Sequence, residues 1–338
     1  MLPKRFESIV ALEDALSAPS AALTADLAGV PGDIMVLGVG GKIGPTLARM
    51  AKRAAPERRV IGVARFTEPG LRESLTAHGV ECIACDLLDP AAVAALPRAP
   101  NVIFMAGRKF GSNDRQELTW AINGWVPSVV AQVFQRSRIV AFSTACVYAF
   151  ANYRSGGARE DAPLIPPGEY ANSCVARERM FEYFSGLHAT PGRLIRLSYA
   201  IDMRYGVLHD LARRLLAREP IDLAMGYVNV TWQGDANEQA LRALAHCTTP
   251  TSGLNVSGPI RPVRELATGL GERLGVQPIF VEVESDTAWL INCSAAERLF
   301  GPPRVSMETL LDWTADWVQR GMASHGKPTH FEVRDGSY

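Results

Sequence analysis

The chain has 338 residues, of which 47% are hydrophobic and 21% charged, as in water-soluble proteins with a large core. Lysine and arginine (35) balance aspartate and glutamate (35), so charge indicates no nucleic-acid or membrane partner. We find no apolar run long enough to span a bilayer and no signal peptide, and six scattered cysteines do not form a disulfide scaffold. We therefore expect a protein of the reducing cytoplasm.

The first two-thirds of the chain alternates apolar runs with helical stretches. Residues 1–32 alternate apolar and charged residues and predict an N-terminal extension with a pair of surface helices. Continuous apolar runs then indicate strands buried on both faces of a parallel sheet. This alternation predicts an α/β fold, a doubly wound parallel sheet of the Rossmann type. The predicted strands cover residues 33–38, 59–64, 81–85, 101–106, 138–143 and 193–197.

A glycine-rich turn follows the first predicted strand. It reads Gly38-Val-Gly-Gly41-Lys42-Ile43-Gly44, a G-x-x-G-x-x-G pattern that opens a predicted helix over 43–55. Glycines let the backbone turn tightly and approach a pyrophosphate, and the helix N-terminus offers unpaired N–H groups to it. Because a strand precedes the pattern and a helix follows it, the motif predicts a dinucleotide-binding site.

The end of the second predicted strand bears on the choice of dinucleotide. NAD-binding proteins of this type place an acidic residue here to bind the adenosine ribose. This chain has Ala64 followed by Arg65. An arginine suits the 2′-phosphate of NADP, although a solvated arginine at a strand end is the simpler interpretation. We expect NADP as the cofactor, with NAD as the alternative.

After residue 198 the pattern loosens. Predicted helices cover 202–215, 263–274, 294–300 and 307–320, and a predicted strand covers 278–283. We interpret residues 199–225 and 259–338 as a smaller C-terminal annex that covers the cofactor cleft and binds the substrate. Residues 226–258 are expected to return to the dinucleotide-binding domain of residues 33–198.

Metal and redox sites are not indicated. The six histidines are scattered, and no two of them lie four residues apart on a predicted helix. Cys82 and Cys85 form a C-x-x-C pattern, but no second pair accompanies it. Both lie in a predicted strand, where residues i and i+3 point to opposite faces. We expect core cysteines and no bound metal.

Several further segments occur in a fixed order along the chain. They are Cys85-Asp86-Leu87-Leu88-Asp89 after the third strand, Phe104-Met-Ala106-Gly107-Arg-Lys109 after the fourth, Asn123 on the next helix, Ser143-Thr144-Ala-Cys-Val-Tyr148 after the fifth, and then Tyr170. With the glycine-rich turn, this series resembles the motifs of the NAD-dependent epimerase/dehydratase family of extended short-chain dehydrogenases. The resemblance covers about residues 33–320.

The resemblance implies specific roles for these residues. It places Tyr170 as the proton-transfer group and Thr144 as its hydrogen-bonding partner. It also implies that the following residues contact the cofactor: Asp86, Leu87, Ala106, Gly107, Lys109, Asn123 and Tyr170, which thus has two roles. The implied function is an NAD(P)-binding oxidoreductase or epimerase acting on a small sugar-like molecule. It also implies a homodimer through the region of Trp120, Trp125 and Phe134, which we expect to pack along one long helix.

One departure from the family pattern affects the chemistry directly. The family has Tyr-x-x-x-Lys, whereas this chain has Tyr170-Ala-Asn-Ser-Cys174. Residues four apart share a helix face, so a lysine there would favour ionisation of Tyr170. Without a cation, about one tyrosine in a thousand is ionised near neutrality. Three hypotheses follow: Lys109 or Arg108 replaces the cation, Tyr170 is only a neutral hydrogen-bond donor, or the chain is a catalytically silent or regulatory NAD(P)-binding protein.

Overall fold

The computed structural model describes residues 2–109, 111 and 114–336. Its central sheet has seven parallel strands in the order β7-β6-β5-β4-β1-β2-β3. This architecture confirms the predicted doubly wound fold. The strands are β1 (Ile34–Leu37), β2 (Val60–Ala64), β3 (Glu81–Ala84), β4 (Asn101–Phe104), β5 (Arg138–Thr144), β6 (Gly192–Leu197) and β7 (Ser252–Val256).

Helices cover both faces of the sheet and build the annex. In chain order they are α1 (Ile9–Leu16), α2 (Ala21–Ala28), α3 (Gly44–Ala54), α4 (Leu71–Ala77), α5 (Pro90–Ala95), α6 (Gln116–Trp120), α7 (Val126–Val133), α8 (Glu169–His188), α9 (Val207–Ala217), α10 (Gln233–Arg242), α11 (Val263–Leu274), α12 (Ser294–Phe300) and α13 (Met307–Gln319). Helices α2, α3 and α10 share one buried cluster with the sheet, and α5, α7 and α8 share another on the opposite face. Burial of these apolar faces, at about 25 cal/mol per Å², is the main force that holds the layers together.

The annex is built around α9, α11 and α13, whose buried faces share a third apolar cluster. Short strand pairs lie outside the central sheet. They are Ala200–Ile201 with Thr231–Trp232, Ile221–Asp222 with Phe280–Val281, Tyr227–Asn229 with Ile260–Pro262, and Ala151–Asn152 with Thr287–Ala288.

Most predicted elements are present, with shifted ends. The largest shift is in the helix predicted over 202–215, which begins only at Val207. Asp202 and Tyr205 instead pair their backbones in a turn, and Gly206 has a φ of +124° that ends it. The strand predicted over 101–106 ends at Phe104, because the chain from Met105 leaves the sheet to line the cleft. The strand predicted over 278–283 is reduced to Phe280–Val281.

The N-terminal extension forms the predicted helix pair, and each helix has one deeply buried face. Leu12 and Leu16 of α1 lie in the annex cluster, whereas Leu23 and Leu27 of α2 lie in a sheet cluster. Glu13 accepts from both Arg49 on α3 (3.1 Å) and Arg204 of the annex (2.9 Å). The extension therefore joins the annex to the dinucleotide-binding half.

Candidate active site

A long cleft opens at the carboxyl ends of β1 and β4. These two strands are neighbours, and the order of the sheet reverses between them, which is where ligands bind in doubly wound folds. The cleft has two adjoining parts, of about 330 and 500 Å³. The two parts share Gly38, Gly41, Met105 and Gly107. The glycine-rich turn therefore lies at the middle of the cleft.

The three glycines fit the roles that a dinucleotide site requires. Gly38 has a φ of +88°, and a Cβ there would lie 2.6 Å from the Ala106 nitrogen. A Cβ on Gly44 would lie 2.3 Å from the Val39 carbonyl oxygen, so only glycine allows α3 to begin this close to the turn. Gly41 has no such crowding, and its nearest neighbour would be 3.7 Å away. Open space at Gly41 suits the approach of a pyrophosphate.

The smaller part of the cleft has the character of an adenosine site. Seven of the predicted cofactor residues line it, namely Gly38, Gly41, Arg65, Asp86, Leu87, Ala106 and Gly107. The Asp86 carboxylate accepts from the Leu88 nitrogen at 3.0 Å, which fixes the turn after β3. Cys85 also lines this part. Cys82, the other half of the C-x-x-C pattern, is a free thiol, and burial raises its pKa.

The larger part brings together the predicted catalytic pair and several predicted cofactor residues. Thr144 and Tyr170 line it together with Lys42, Ile43 and Lys109. Thr144 ends β5, and its hydroxyl accepts from the Cys146 nitrogen at 3.2 Å. Tyr199 of the annex also lines this space. Sequence reasoning did not assign three further lining residues, because they come from the annex and the C-terminus: Tyr205, Trp289 and Lys327.

Tyr170 and Cys174 interact directly. Burial raises the pKa of Tyr170 well above its ordinary value, and a hydrogen bond to the Cys174 sulphur adds to this. Burial likewise raises the pKa of the Cys174 thiol, which is 0% exposed. A lysine at this position would favour the phenolate, whereas Cys174 stabilises the protonated phenol. The site therefore holds Tyr170 in its neutral form.

Asn123 lies behind the cleft rather than in its lining. It is fully buried in a single π-helical turn, Ala121–Trp125, and such turns often occur at functional sites. Its amide nitrogen donates to the Arg108 carbonyl and to the Ser173 hydroxyl, both at 2.9 Å. Its amide oxygen accepts from the Arg108 nitrogen at 2.9 Å. Asn123 thus holds the chain after β4 against α8.

Arg177 supplies a buried positive charge that sequence reasoning missed. It lies on α8, seven residues after Tyr170, and is 5% exposed. Its guanidinium donates to the Phe142 carbonyl (2.9 Å) and to the Asn123 side chain (2.7 Å). Its charge opposes the effect of burial on the pKa of Tyr170 and of Cys174. The signal was an arginine on the helix that carries Tyr170, but nothing in the sequence distinguished it from a surface charge.

The two cations predicted as replacements have different positions. Lys109 lies in the same part of the cleft as Tyr170. Burial lowers its pKa, and the thiols of Cys146 and Cys174 oppose that shift. Arg108 turns away and donates to the Gly111 carbonyl at 2.8 Å. The geometry thus favours Lys109 over Arg108 and adds Arg177.

A buried ionic network supports the end of β5. Arg196 donates to Glu178 at 2.8 Å, and both side chains are almost fully buried. Ser143, next to Thr144, donates to the same carboxylate. Burial raises the pKa of Tyr148 to about 12, and its hydroxyl donates to Asn255 at 2.8 Å. This network fixes Thr144 against α8.

Within residues 2–109, 111 and 114–336, three or more histidine, cysteine or acidic side chains never cluster closely enough to bind a metal ion. No helix in the same part of the chain is long and apolar enough to cross a membrane.

The cleft, the glycine-rich turn and the Thr144–Tyr170 pair define a dinucleotide-binding protein of the short-chain dehydrogenase class. The sequence model of the NAD dependent epimerase/dehydratase family matches residues 34–236. The chain belongs to this family. No curated protein sequence matches it significantly.

Solved structures show the same fold at low sequence identity. UDP-glucuronic acid 4-epimerase from Bacillus cereus, in complex with UDP-glucuronic acid and NAD, has a TM-score of 0.69 at 17% identity, covering 85% of this chain and 99% of that one. dTDP-glucose 4,6-dehydratase from Bacillus anthracis, in complex with NAD, has a TM-score of 0.72 at 15% identity, covering 86% of this chain and 97% of that one. The epimerase Mth375 from Methanothermobacter thermautotrophicus has a TM-score of 0.71 at 18% identity, covering 90% of this chain and 99% of that one.

Proposed function

We propose that the protein is an NAD(P)-dependent oxidoreductase or epimerase that acts on a hydroxyl or carbonyl group of a small sugar-like substrate. The observation that carries this proposal is the position of Thr144 and Tyr170 in the same part of the cleft as the glycine-rich turn. Relatives of known structure support it, since UDP-glucuronic acid 4-epimerase was solved with UDP-glucuronic acid and NAD, and dTDP-glucose 4,6-dehydratase with NAD. Trp289, Tyr199 and Tyr205 line the same space, so aromatic side chains would lie beside a sugar bound there.

In this proposal, Thr144 and Tyr170 hold the reacting oxygen of the substrate. A nicotinamide dinucleotide bound in the cleft supplies the group that exchanges hydride with the substrate. Because Tyr170 is held protonated, it acts best as a general acid that donates its proton to a carbonyl oxygen. Acid–base assistance of this kind contributes about 10²–10⁴-fold to a rate. A neutral Tyr170 therefore directly assists carbonyl reduction near neutral pH, whereas assistance to oxidation first requires loss of its proton.

Arg177 adds a buried positive charge to the proposed site. When Tyr170 gives up its proton, the phenolate needs a positive charge, and Cys174 carries none. The buried guanidinium of Arg177 supplies that charge, and Lys109 lines the same part of the cleft as Tyr170. Arg177 is almost fully buried, and interactions between charges are stronger where water is excluded.

For the cofactor we propose NADP ahead of NAD. Arg65 lines the adenosine part of the cleft directly after β2. An arginine in this position suits a 2′-phosphate. Complexes of structural relatives contain NAD, so NAD is the alternative to compare with NADP.

A second candidate is a catalytically silent NAD(P)-binding protein, favoured by Cys174 in the place of the family's lysine. A screen of sugars, sugar acids and lactones for absorbance change at 340 nm, with NADH and NADPH, separates the two. Turnover with any of them supports an enzyme. Cofactor binding by calorimetry without turnover on the whole panel supports the silent protein, and absence of cofactor binding contradicts both.

We also propose a homodimer formed through α6 and α8. Trp120 and Trp125 are 41% and 44% exposed, and Tyr183 and Leu187 of α8 are more exposed still. Exposed aromatic patches of this kind mark protein interfaces. Phe134, predicted to share their face, is instead buried in the sheet cluster, because it follows the end of α7 and turns inward. Sedimentation of the wild type and of Trp125→Glu tests the proposal, and a wild-type monomer contradicts it.

A further inference from the structure

Helix α10 is buried along almost its whole length, although its sequence is polar. Nine of its ten residues are buried. A helix in the core of a protein is ordinarily apolar on every side. Buried polar side chains are costly unless they are hydrogen bonded, so the partners that they bind indicate their role. The polar side chains buried on α10 are those of Gln233, Asp235, Asn237, Glu238 and Gln239.

Asp235 and Glu238 hold other elements onto α10. Asp235 accepts from the backbone nitrogen of Arg304 at 2.9 Å and from its side chain at 3.0 Å, which fixes the segment between α12 and α13. Glu238 accepts at 2.7 Å from the hydroxyl of Ser20, the N-cap residue of α2, which fixes the N-terminal extension. These two carboxylates therefore stabilise the fold through elements other than the glycine-rich turn.

Gln233 and Asn237 meet at one hydroxyl group of α3. They lie four residues apart on the same face of α10, and the amide nitrogen of each donates to the Thr46 hydroxyl at 3.1 Å. That hydroxyl in turn donates to the Ile43 carbonyl at 3.1 Å. A hydroxyl group has one proton and two lone pairs, so Thr46 uses its full hydrogen-bonding capacity here. The hydroxyl is therefore held in a single orientation, and it holds the Ile43 carbonyl.

The Ile43 carbonyl lies where the glycine-rich turn passes into α3. Ile43 is the residue before the helix and lines the larger part of the cleft. Its carbonyl also accepts from the Leu47 nitrogen at 3.1 Å, which is the first bond of the helix. Gly44 follows, and it leaves no room for a side chain against the Val39 carbonyl. The turn and the start of α3 are thus packed as one unit, so the bond from Thr46 fixes both.

Gln233 and Asn237 differ in what else they contact. Gln233 lines the larger part of the cleft, whereas Thr46 lines neither of its two parts. Asn237 also donates to the Leu16 carbonyl at the end of α1, at 3.4 Å. In the part of the chain that the structure describes, the Asn237 amide oxygen has no hydrogen-bond partner. A buried oxygen of this kind costs stability, so packing alone would favour an apolar side chain here. The bonds that the amide donates therefore explain it best.

We propose that Gln233 and Asn237 are positioning residues for the cofactor, which act through the Thr46 hydroxyl to hold the glycine-rich turn in the form that receives a dinucleotide. A site held in its binding conformation loses less entropy when the ligand binds, so its affinity is higher. The inference rests on the proposed function for the dinucleotide alone, and it applies equally to a catalytically silent NAD(P)-binding protein. Because the turn serves the pyrophosphate that NAD and NADP share, both affinities should depend on Thr46 to the same extent.

Calorimetry with NADP and NAD on the full-length protein tests the inference. Thr46→Val keeps the shape of the side chain and removes the hydroxyl, and it should weaken both dinucleotides about fivefold, as expected for loss of a neutral hydrogen bond. Thr46→Ser restores the hydroxyl and should bind both within about twofold of wild type. Gln233→Leu should lose as much affinity as Thr46→Val. If Gln233 acts through Thr46, the double variant should be no weaker than either single variant.

Ser20→Ala is the matched control, because it removes a bond to the same helix at Glu238. It should lower the melting temperature and leave both affinities unchanged. Equal losses of affinity in Ser20→Ala and Thr46→Val would show that any weakening around α10 has this effect, and would overturn the inference. Wild-type affinity in Thr46→Val, or additive losses in the double variant, also overturns it. If wild type binds neither dinucleotide, the inference and the proposed function both fail, whereas binding without turnover contradicts only the proposed enzyme.

Discussion

Arg177 donates a 2.7 Å hydrogen bond to Asn123, and this contact fixes a permanent positive charge behind the active-site tyrosine. The two residues come from different helices and also hold the Arg108 backbone and the Phe142 carbonyl in place. Family members place the cation four residues after the tyrosine, whereas here the buried cation follows seven residues after it. A buried cation is thus retained on α8, one turn further along the same helix face.

Removing the Arg177 charge should affect turnover and pH dependence together. In Arg177→Met, the pKa of Tyr170 should rise further, because the charge that opposes its burial is lost. We expect a fall in kcat of about tenfold or more, with a KM change that is much smaller. Arg177→Lys keeps the charge and should retain more activity than Arg177→Met at equal folded fraction. Equal kcat for the two variants would show that Arg177 only supports the fold.

The proton-transfer role of Tyr170 is tested by Tyr170→Phe. We expect kcat to fall on the order of 10²-fold or more, because the variant lacks the group that donates the proton. Cofactor affinity, measured by calorimetry, should change little. Tyr205→Phe is a matched control, since Tyr205 lines the same space from the annex. Full activity of Tyr170→Phe on an identified substrate is incompatible with the assignment.

Cys174→Lys should restore the family arrangement and accelerate oxidation. An ammonium beside the hydroxyl lowers the pKa of Tyr170, whereas the present thiol and burial raise it. The rate of substrate oxidation should therefore increase, and its rise with pH should move to lower pH. Cys174→Ser is the control, because it keeps a small uncharged side chain. If both variants behave alike, the missing lysine does not limit turnover.

Much of this site was predictable because it lies on regular elements. Gly38, Gly41 and Gly44 follow a buried strand and precede a helix, so their pattern carries its own structural context. Thr144 and Tyr170 were found by their resemblance to ordered family motifs. Arg177 and Lys327 were missed for physical reasons. The first is one of several charged residues on α8, and the second reaches the cleft only through anchors more than a hundred residues away in sequence, such as Asp210.

The cofactor preference is tested by Arg65→Ala. Loss of the guanidinium should weaken NADP binding about tenfold or more and leave NAD binding within about twofold, because NAD lacks the 2′-phosphate. Calorimetry with both dinucleotides measures the two affinities. Arg72→Ala is a control, since Arg72 is a nearby arginine that does not line the adenosine part of the cleft. Equal losses for NAD and NADP would contradict the role of Arg65.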